Sequence, residues 1–214
     1  MLKAGRLVIA VDGPAASGKG TVARALARHY DLPYLDTGLL YRAVGVTVAR
    51  TGANPEDADA AVAATRFPDS LLDDPALRTH EASRAASIVS AIPAVRAALL
   101  DRQRGFARQP RGAVLDGRDI GTVIAPDADA KLFITARPEI RAARRHAELS
   151  GENDGRSLAA VLADIQSRDA RDRDRAAAPL VMAEDAALLD NSDLSIEAAI
   201  QRAIALVEAR IGGL

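Results

Sequence analysis

The feature that most constrains this chain is a glycine-rich loop between a short apolar run and a helical pattern. The run Leu7–Asp12 (LVIAVD) is typical of a buried parallel strand, and it leads directly into Gly13–Thr21 (GPAASGKGT). Glycines let backbone N–H groups converge on a phosphate without a Cβ in the way, and the N-terminus of the next helix adds the positive end of its dipole. The lysine of the loop supplies a mobile charge for the β- and γ-phosphates of ATP or GTP. The predicted phosphate-binding residues are Gly13, Pro14, Ala15, Ala16, Ser17, Gly18, Lys19, Gly20 and Thr21.

The loop departs from the usual pattern at one position, which bears on the metal. Gly20 stands where a serine or threonine normally follows the lysine, so we do not expect the direct hydroxyl–magnesium bond of switch GTPases. Mg²⁺ would then be held largely by ATP phosphates and water. Asp116, which directly follows the apolar run Ala113–Leu115, is placed like a Walker-B acid and is a candidate to order the magnesium waters. The sequence therefore predicts ATP with Mg²⁺ and no direct metal ligand from the chain.

Composition excludes several other classes of protein. The chain has 214 residues, with 28 Lys and Arg against 29 Asp and Glu, so its formal net charge of −1 gives no overall basic field for nucleic acid or an anionic membrane. There is no cysteine for disulfides, thiolate metal sites or nucleophiles, and aromatic residues make up only 3%. No run approaches the roughly 18 apolar residues of a membrane span. We expect a single-domain, monomeric, cytoplasmic protein that acts on small molecules.

Short apolar runs alternate with helical patterns along the chain, which predicts an α/β fold of right-handed βαβ units around a parallel sheet. Strands are predicted at Leu7–Asp12, Pro33–Asp36, Ala113–Asp116, Lys131–Thr135 and Ala187–Asp190. Helices are predicted at Lys19–Tyr30, Thr37–Arg50, Arg78–Val89, Pro93–Arg108, Pro138–Leu149, Ser157–Arg175 and Ser195–Ile211. Thr37 is the expected N-cap of the second helix, and Gly52–Asp74 is expected to hold one short helix and little other regular structure.

Arginines indicate a second anionic ligand near the loop, because a guanidinium binds phosphate bidentately and keeps its charge. Asp36–Arg42 (DTGLLYR) and Asp116–Asp119 (DGRD) each follow a predicted strand, at the sheet edge where α/β proteins bind ligands. In the run Arg168–Arg175 (RDARDRDR), residues 168, 172 and 175 share one helix face. Each segment alone is also compatible with a helix cap, a charged turn or a solvated helix laced with surface ion pairs.

A further arginine cluster precedes a loop with a glycine at each end. Arg141, Arg144 and Arg145 lie upstream of Gly151–Gly155, an arrangement like a flexible lid that brings an arginine to a transferring phosphoryl group. Such a transfer needs alignment and charge neutralisation more than covalent help. An acceptor phosphate is already anionic, so no general base is required, in agreement with the lack of a histidine in any of these motifs.

Together these segments resemble bacterial cytidylate kinases, a family of P-loop nucleoside-monophosphate kinases. The resemblance covers nearly the whole chain and rests on Gly13–Thr21, Asp36–Arg42, Asp116–Thr122 (DGRDIGT) and Arg168–Leu180 (RDARDRDRAAAPL). It implies the P-loop NMP-kinase fold, with a five-stranded parallel sheet flanked by helices, an NMP-binding insertion and a mobile LID. The implied parts are a CORE of about residues 1–51, 90–143 and 174–214, an insertion of about residues 52–89 and a LID of about residues 144–173.

The resemblance also implies a reaction and a role for each matching residue. The expected activity is transfer of the γ-phosphate of ATP to CMP or dCMP. Residues expected to contribute to catalysis are Lys19, Arg118, Arg144 and Arg175. Residues expected to bind the acceptor nucleotide are Thr37, Tyr41, Arg42, Ser87, Arg96, Arg118, Asp119, Arg168, Asp172 and Arg175. Within that set the acceptor phosphate is expected on Arg42, Arg118 and Arg175, the sugar on Arg168 and Asp172, and the cytosine on Ser87, Arg96 and Asp119.

Two other functions remain open at this point. The chain could phosphorylate another nucleotide or a hydroxylated metabolite, although a hydroxyl acceptor would want a general base and none is evident. It could also be a non-catalytic nucleotide-binding switch. That reading is disfavoured because the sequence has no guanine-reading Asn-Lys-x-Asp segment, and because a switch has no need of an arginine-rich acceptor side.

Overall fold

The sheet has the predicted parallel α/β arrangement. The computed structural model describes residues 5–150 and 155–212. Its strands are β1 (Leu7–Asp12), β2 (Tyr34–Asp36), β3 (Gly112–Gly117), β4 (Ala130–Thr135) and β5 (Ala187–Asp190). They pair in parallel in the order β2-β3-β1-β4-β5. The sequence-based prediction of five short parallel strands is therefore confirmed.

The helices of the described residues follow the predicted spans to within about two residues. They are α1 (Lys19–His29), α2 (Thr37–Arg50), α3 (Ala58–Ala63), α4 (His80–Val89), α5 (Pro93–Ala107), α6 (Pro138–Ser150), α7 (Leu158–Asp174) and α8 (Ile196–Ile211). Three short 3₁₀ segments lie between α3 and α4, and a π-helical turn follows β3; they are Ala64–Arg66, Asp69–Asp73, Pro75–Arg78 and Ile120–Ile124. The predicted loop Gly151–Gly155 lies outside the described residues except for its last position.

Two predicted helix ends differ from the structure in detail: the N-cap of α2 and the last residue of α7. The N-cap of α2 is Asp36, whose carboxylate accepts the N–H of Gly38 at 2.9 Å, and Thr37 is the first helical residue. The hydroxyl of Thr37 donates instead to the Asp116 carbonyl at 2.8 Å, which joins the end of β2 to the end of β3. The helix α7 ends at Asp174, one residue earlier than predicted, because Arg175 adopts an extended backbone with ψ of 139°.

Helices cover both faces of the sheet. The central strands β1 and β3 are therefore buried at every position, and their sequences are almost continuously apolar. On one face Ile9 and Val11 of β1 pack with Leu26 of α1 and Val207 of α8. On the other face Ala10 of β1 packs with neighbours from β3, α5 and the π-helical turn. The carboxyl ends of the strands are left open to the loops that carry the predicted site residues.

Two further apolar clusters lie outside the sheet. One joins α2, α3, α4 and α5 through buried residues that include Leu40, Leu77, Val89 and Leu99. The other joins α6 to α7 through Ala142, Leu149, Val161 and Ile165. Full burial of each leucine contributes about 1.5–3 kcal/mol, so each cluster can hold its helices in register. The helices α4 and α7 also contact each other, because Arg168 and Arg171 of α7 donate to Ser83 and Ser87 of α4.

Within the described residues, no single helix is long and apolar enough to cross a membrane. The helices α4 and α5 reach that length and composition only when taken together, and the pair is bent by 103°.

The approach of α2 to α4 depends on a glycine. A Cβ on Gly45 would lie 2.6 Å from the Cβ of Ala85 and 3.2 Å from its carbonyl carbon, closer than side chains normally approach. Gly45 is therefore required for the close crossing that sets the position of α4. Gly105 in α5 offers a contrast, because a Cβ at that position would meet nothing within 4 Å.

We expect Gly45→Ala to lower the free energy of unfolding by about 1–3 kcal/mol, because overpacking outweighs the better helix propensity of alanine. The matched control is Gly105→Ala, the same substitution in an exposed helix position, which we expect to raise that free energy by up to about 1 kcal/mol. Denaturant unfolding of both variants tests this. Equal stabilities for the two variants would show that α2 and α4 can separate without cost.

Candidate active site

A cavity of about 320 Å³ opens at the carboxyl ends of β1, β2 and β3. It brings the glycine-rich loop and the arginine-rich segments to one place, as their positions after the strands predicted. The predicted site residues that line it are Ala15, Ala16, Lys19, Gly20, Thr37, Tyr41, Arg42, Ser87, Arg96, Asp116, Arg118, Asp119, Arg168, Asp172 and Arg175. The predicted residues that do not line it are Gly13, Pro14, Ser17, Gly18, Thr21 and Arg144.

The glycine-rich loop has the backbone that an anion-binding loop needs. Gly18, the N-cap of α1, is left-handed with φ of 80°, and Ala16 also has a positive φ of 56°. The cap position provides no side-chain hydrogen bond, and the first turn of α1 carries no acidic residue. The amide groups and the dipole of this helix end are therefore left for an external anion. A Cβ on Gly13 would lie 2.0 Å from the Ile134 carbonyl oxygen, so only glycine lets the loop pass over β4.

Lys19 is the cation at the centre of this end of the cavity. The surrounding protein lowers its pKa to about 8, chiefly by desolvation and then through the nearby Arg118 guanidinium. The carboxylates of Asp116 and Asp36 act in the opposite direction. Lys19 is therefore mostly protonated at neutral pH but loses its charge only slightly above it. A bound phosphate would raise this pKa and keep the lysine charged at higher pH.

Gly20, which stands where a serine or threonine normally follows the lysine, lies close to the carboxylate of Asp116. The Asp116 carboxylate is buried, and its Oδ2 accepts a hydrogen bond from the Tyr34 hydroxyl at 2.9 Å. A Cβ on Gly20 would lie only 3.0 Å from that same oxygen. A serine or threonine side chain at position 20 would therefore crowd this carboxylate. Burial raises the pKa of Asp116 to about 6, while Lys19 lowers it.

This arrangement suits a metal that is held mainly by the phosphates of a nucleotide. The described residues contain no group of three or more His, Cys, Asp or Glu that could hold a metal ion by themselves. One buried carboxylate beside Lys19 and the loop is the donor set that a phosphate-bound, partly hydrated Mg²⁺ requires.

Asp12 is a buried acidic residue next to the site whose contacts the sequence interpretation missed. Its two carboxylate oxygens accept the N–H groups of Ile120 and Gly121 at 2.8 and 2.7 Å. Burial raises the pKa of Asp12 to about 7, against the effect of these two hydrogen bonds. Asp12 therefore ties the strand before the glycine-rich loop to the segment that carries Arg118 and Asp119. An acidic residue at the end of a fully apolar run was the available signal.

At the acceptor end, arginines are held by aspartates but retain unused donors. The Nε of Arg118 donates to Asp172 at 2.8 Å, and the Nε of Arg175 donates to the Ala178 carbonyl at 2.6 Å. The Nη2 of Arg175 is buried and makes no hydrogen bond to any residue the structure describes; its separation from the Asp119 carboxylate is 4.0 Å. Such a donor costs free energy until a ligand accepts from it.

Arg168 and Arg42 add to the same positive region. An Nη of Arg168 donates to the Ser83 hydroxyl at 2.9 Å, whereas its buried Nε has no partner among the described residues. Burial and, after it, the nearby Arg118 charge lower the pKa of Arg168 to about 10. Arg42 lines the cavity and forms no hydrogen bond or ion pair within the described ranges. The acceptor end therefore favours an anion.

The deepest part of the cavity holds a buried ion pair. Arg96 donates to the Asp119 carboxylate and, through its other Nη, to the Ser90 carbonyl at 3.2 Å. The guanidinium also lies 5.4 Å from the centre of the Tyr41 ring. Ser87 accepts a hydrogen bond from Arg171 at 2.6 Å. This group combines a carboxylate acceptor, a guanidinium donor and a hydroxyl, with Arg171 as a neighbour that the sequence interpretation did not single out.

Arg144 and Arg145 face different ways. Arg144 donates to the side-chain and backbone oxygens of Asn191 at 2.9 and 2.7 Å, and the Asn191 amide donates to the Ser17 carbonyl at 2.8 Å. Arg145 lines the cavity and pairs with Glu148 at 2.9 Å. The structure thus places Arg144 behind the glycine-rich loop, and it is the next residue along α6 that reaches the cavity.

Comparison with known proteins shows the family of this chain. A family model described as Cytidylate kinase matches residues 9–209. A cytidylate kinase of Xanthobacter autotrophicus is 60% identical over 207 residues, which cover 97% of this chain and 100% of that protein. A cytidylate kinase of a Methylobacterium species is 60% identical over 97% of this chain and 99% of that protein. A cytidylate kinase of Azorhizobium caulinodans is 55% identical over 96% of this chain and 100% of that protein.

Solved structures support the fold alone. An uncharacterized protein from Eubacterium ventriosum superposes with a TM-score of 0.56 at 14% identity, over 96% of this chain and all of that one. An unliganded sugar kinase from a Janibacter species superposes with a TM-score of 0.51 at 13% identity, over 97% of each chain. At such identities the shared feature is the arrangement of strands and helices, and no substrate follows from it.

The lowered pKa of Lys19 predicts how nucleotide binding responds to pH. Because the free lysine loses its proton above about pH 8, binding of an ATP analogue at pH 8–9.5 must take up a proton. We expect the Kd to rise by about tenfold per pH unit in that window and to change little between pH 7 and 8. In Lys19→Arg the guanidinium stays charged, so the Kd of this variant should be higher than that of the wild type but independent of pH in the same window. Calorimetric titration at several pH values decides; a wild-type Kd independent of pH would contradict the assignment.

Proposed function

This chain belongs to the cytidylate kinase family, and on that premise we propose that it transfers the γ-phosphate of ATP to CMP or dCMP, giving ADP and CDP or dCDP. The observation that carries the proposal is the shared cavity. The glycine-rich loop with Lys19 lines this cavity, and so do Arg42, Arg118 and Arg175. A nucleotide triphosphate on the loop and a monophosphate on the arginines would therefore meet end to end.

The chemistry needs positioning and charge neutralisation from the chain. An oxygen of the acceptor phosphate attacks the γ-phosphorus, and the bond from that phosphorus to the β–γ bridging oxygen breaks, so that ADP leaves. Lys19 stabilises charge on the β- and γ-phosphates, and Arg118 and Arg175 stabilise charge on the acceptor side. The attacking oxygen is already anionic, so no residue has to remove a proton. We keep Arg144 among the residues proposed to assist catalysis, through Asn191 and the loop.

The unused donors of the cavity support the assignment of the acceptor phosphate and sugar. Arg175 has a buried Nη2 and Arg168 a buried Nε that lack partners among the described residues. A phosphate and a ribose hydroxyl would satisfy both, and Asp172 would accept from a second hydroxyl while it holds Arg118. Thr37, through its bond to the Asp116 carbonyl, would hold the strand ends beneath the phosphate.

Cytosine suits the pair at the deep end of the cavity. The Asp119 carboxylate can accept from the amino group of the base, and Arg96 can donate to its N3 and O2 atoms. Ser87 adds a hydroxyl, and Tyr41 supports the Arg96 guanidinium. Uracil presents a carbonyl where cytosine has the amino group, so the carboxylate would face an acceptor and disfavour it.

The proposal includes the metal, the division of the chain and its setting. When bound with ATP, Mg²⁺ would neutralise phosphate charge, and Asp116 would hold it through water. We propose a CORE of about residues 1–51, 90–143 and 174–214, an NMP-binding insertion of about 52–89 and a LID of about 144–173, with apolar clusters that join the insertion and the LID to the CORE. The proposed state is a monomer acting in the cytoplasm.

A coupled assay of ADP release with Mg-ATP tests the reaction and its acceptor. We expect little ADP without an acceptor, fast turnover with CMP and dCMP, and slow turnover with UMP, AMP and GMP. Equal turnover with UMP would keep the reaction and remove the proposed roles of Ser87, Arg96 and Asp119. No turnover with any of the five would contradict the proposed function and favour a metabolite kinase or a nucleotide-binding switch.

Arg175→Met tests the acceptor-phosphate site. Loss of charge-assisted hydrogen bonds should raise the KM for CMP roughly 10- to 100-fold, while the KM for ATP changes less than about threefold. The matched control is Arg173→Met, because Arg173 is exposed and lies outside the cavity lining. Its kinetic constants should stay within about twofold of the wild type. A rise in the KM for ATP as large as that for CMP would contradict the assignment of Arg175 to the acceptor.

A further inference from the structure

One buried ion pair links the two halves of the cavity without lining it. The guanidinium of Arg141 in α6 donates to both carboxylate oxygens of Asp169 in α7, at 3.0 and 2.6 Å. The side chain of Arg141 is 4% exposed and that of Asp169 is 14% exposed. Neither residue lines the cavity, so the pair has no direct part in binding a substrate.

The same guanidinium also holds the glycine-rich loop. Its Nη1 donates to the Ala15 carbonyl at 3.1 Å, and its Nε donates to the Ala136 carbonyl just after β4 at 2.9 Å. In a trans peptide the carbonyl and the following N–H point in opposite directions. Holding the Ala15 carbonyl on Arg141 therefore directs the N–H of Ala16 away from it, on the part of the loop that lines the cavity. The positive φ of Ala16, 56°, is the kind of strained backbone that needs such support.

On its other side, the pair holds the helix that carries the acceptor site. Asp169 directly follows Arg168, and it lies three residues before Asp172, so that Asp169 and Asp172 share a face of α7. Asp172 binds Arg118, at the end of β3. Two carboxylates on one helix face thus connect α7 to the donor loop through Arg141 and to the acceptor segment through Arg118.

From this geometry we propose that Arg141 and Asp169 form a positioning pair, which sets the distance and angle between the ATP phosphates on the loop and the acceptor phosphate on α7. This inference rests on the proposed function. Phosphoryl transfer depends on the approach of two separately bound phosphates, and a misplacement of about 1 Å can cost about 100-fold in rate. Arg141 and Asp169 therefore act through the groups they hold.

Asp169→Asn is the first test, because it keeps the shape of the side chain and removes its charge. We expect its kcat to fall about 30- to 100-fold, with the KM for CMP changed less than about fivefold, because Arg118 and Arg175 remain. The Kd for β,γ-methylene-ATP should rise at least about threefold as the Ala15–Ala16 peptide is released. Calorimetry reports the binding stoichiometry separately, so a loss of folded protein lowers the stoichiometry and leaves the Kd unchanged. The matched control is Asp193→Asn, which breaks an exposed bidentate pair with Arg137 and should leave these values within about twofold.

A second variant keeps the test decisive if Asp169→Asn folds poorly. In the double variant Arg141→Met and Asp169→Leu, apolar residues of similar size replace the buried pair, a change that often preserves stability. If the pair served only to stabilise the fold, this variant would regain thermal stability and turnover together. The proposal expects it to regain stability yet remain at least about tenfold slower, because neither new side chain can donate to the Ala15 carbonyl.

Wild-type turnover in this double variant, or an unchanged Kd for β,γ-methylene-ATP in fully folded Asp169→Asn, would overturn the positioning role. Absence of wild-type turnover with CMP would instead count against the proposed function, since the analogue-binding measurement reads the pair without any acceptor.

Discussion

The whole site depends on the parallel pairing of β1 with β3. In that register Asp12 lies beside Gly117, so the glycine-rich loop and the segment with Arg118 leave the sheet next to each other. The Asp12 carboxylate then accepts two backbone N–H groups from the turn after β3, which holds the two exits in a fixed relation. Because parallel strands all end at one edge, every later residue of the site has to reach this point from a helix or a loop.

At this edge of the sheet, some positive side chains are paired with carboxylates and others are not, and the unpaired positive charge suits the phosphates that a kinase binds. Asp119, Asp172 and Asp169 each hold an arginine, so the guanidinium groups are oriented before a ligand binds. Lys19, Arg42, Arg168 and Arg175 nevertheless keep unused positive charge or donors around the cavity. Burial lowers the pKa of Lys19 and of Arg168, because a buried cation without an anionic partner is unfavourable. Phosphates relieve that cost, and so they stabilise the chain as they bind.

Local patterns were enough to predict the strands, most helices and the loop, because apolar runs and glycines act within a few residues. The same patterns failed where a distant group decided the outcome. Asp36 and Thr37 are both good caps, and the choice between them depends on the Asp116 carbonyl, which takes the Thr37 hydroxyl. Arg141, Arg144 and Arg145 fall within five residues of one helix, and only the packing of α6 against α7 and the loop shows which of them reaches the cavity.

The pairing of Arg141 with Asp169 joins residues 28 apart in the chain, and no periodicity could have revealed it. The domain division and the individual roles in the cavity remain predictions, because they concern ligands and movements that a pattern of side chains can only suggest. What the sequence did indicate correctly was the location, because the arginine-rich segments converge where strand ends were expected, and the segment around Arg144 reaches the cavity through Arg145.

The crowding of Gly20 against Asp116 has a consequence for sequence variation. A serine or threonine at position 20 would bring its Cβ to 3.0 Å from the Asp116 oxygen that accepts from Tyr34, so this carboxylate would have to shift. Positions 20, 34 and 116 are therefore coupled, through one tight contact and one hydrogen bond. A serine beside the lysine is accommodated most easily when residue 34 or residue 116 changes with it.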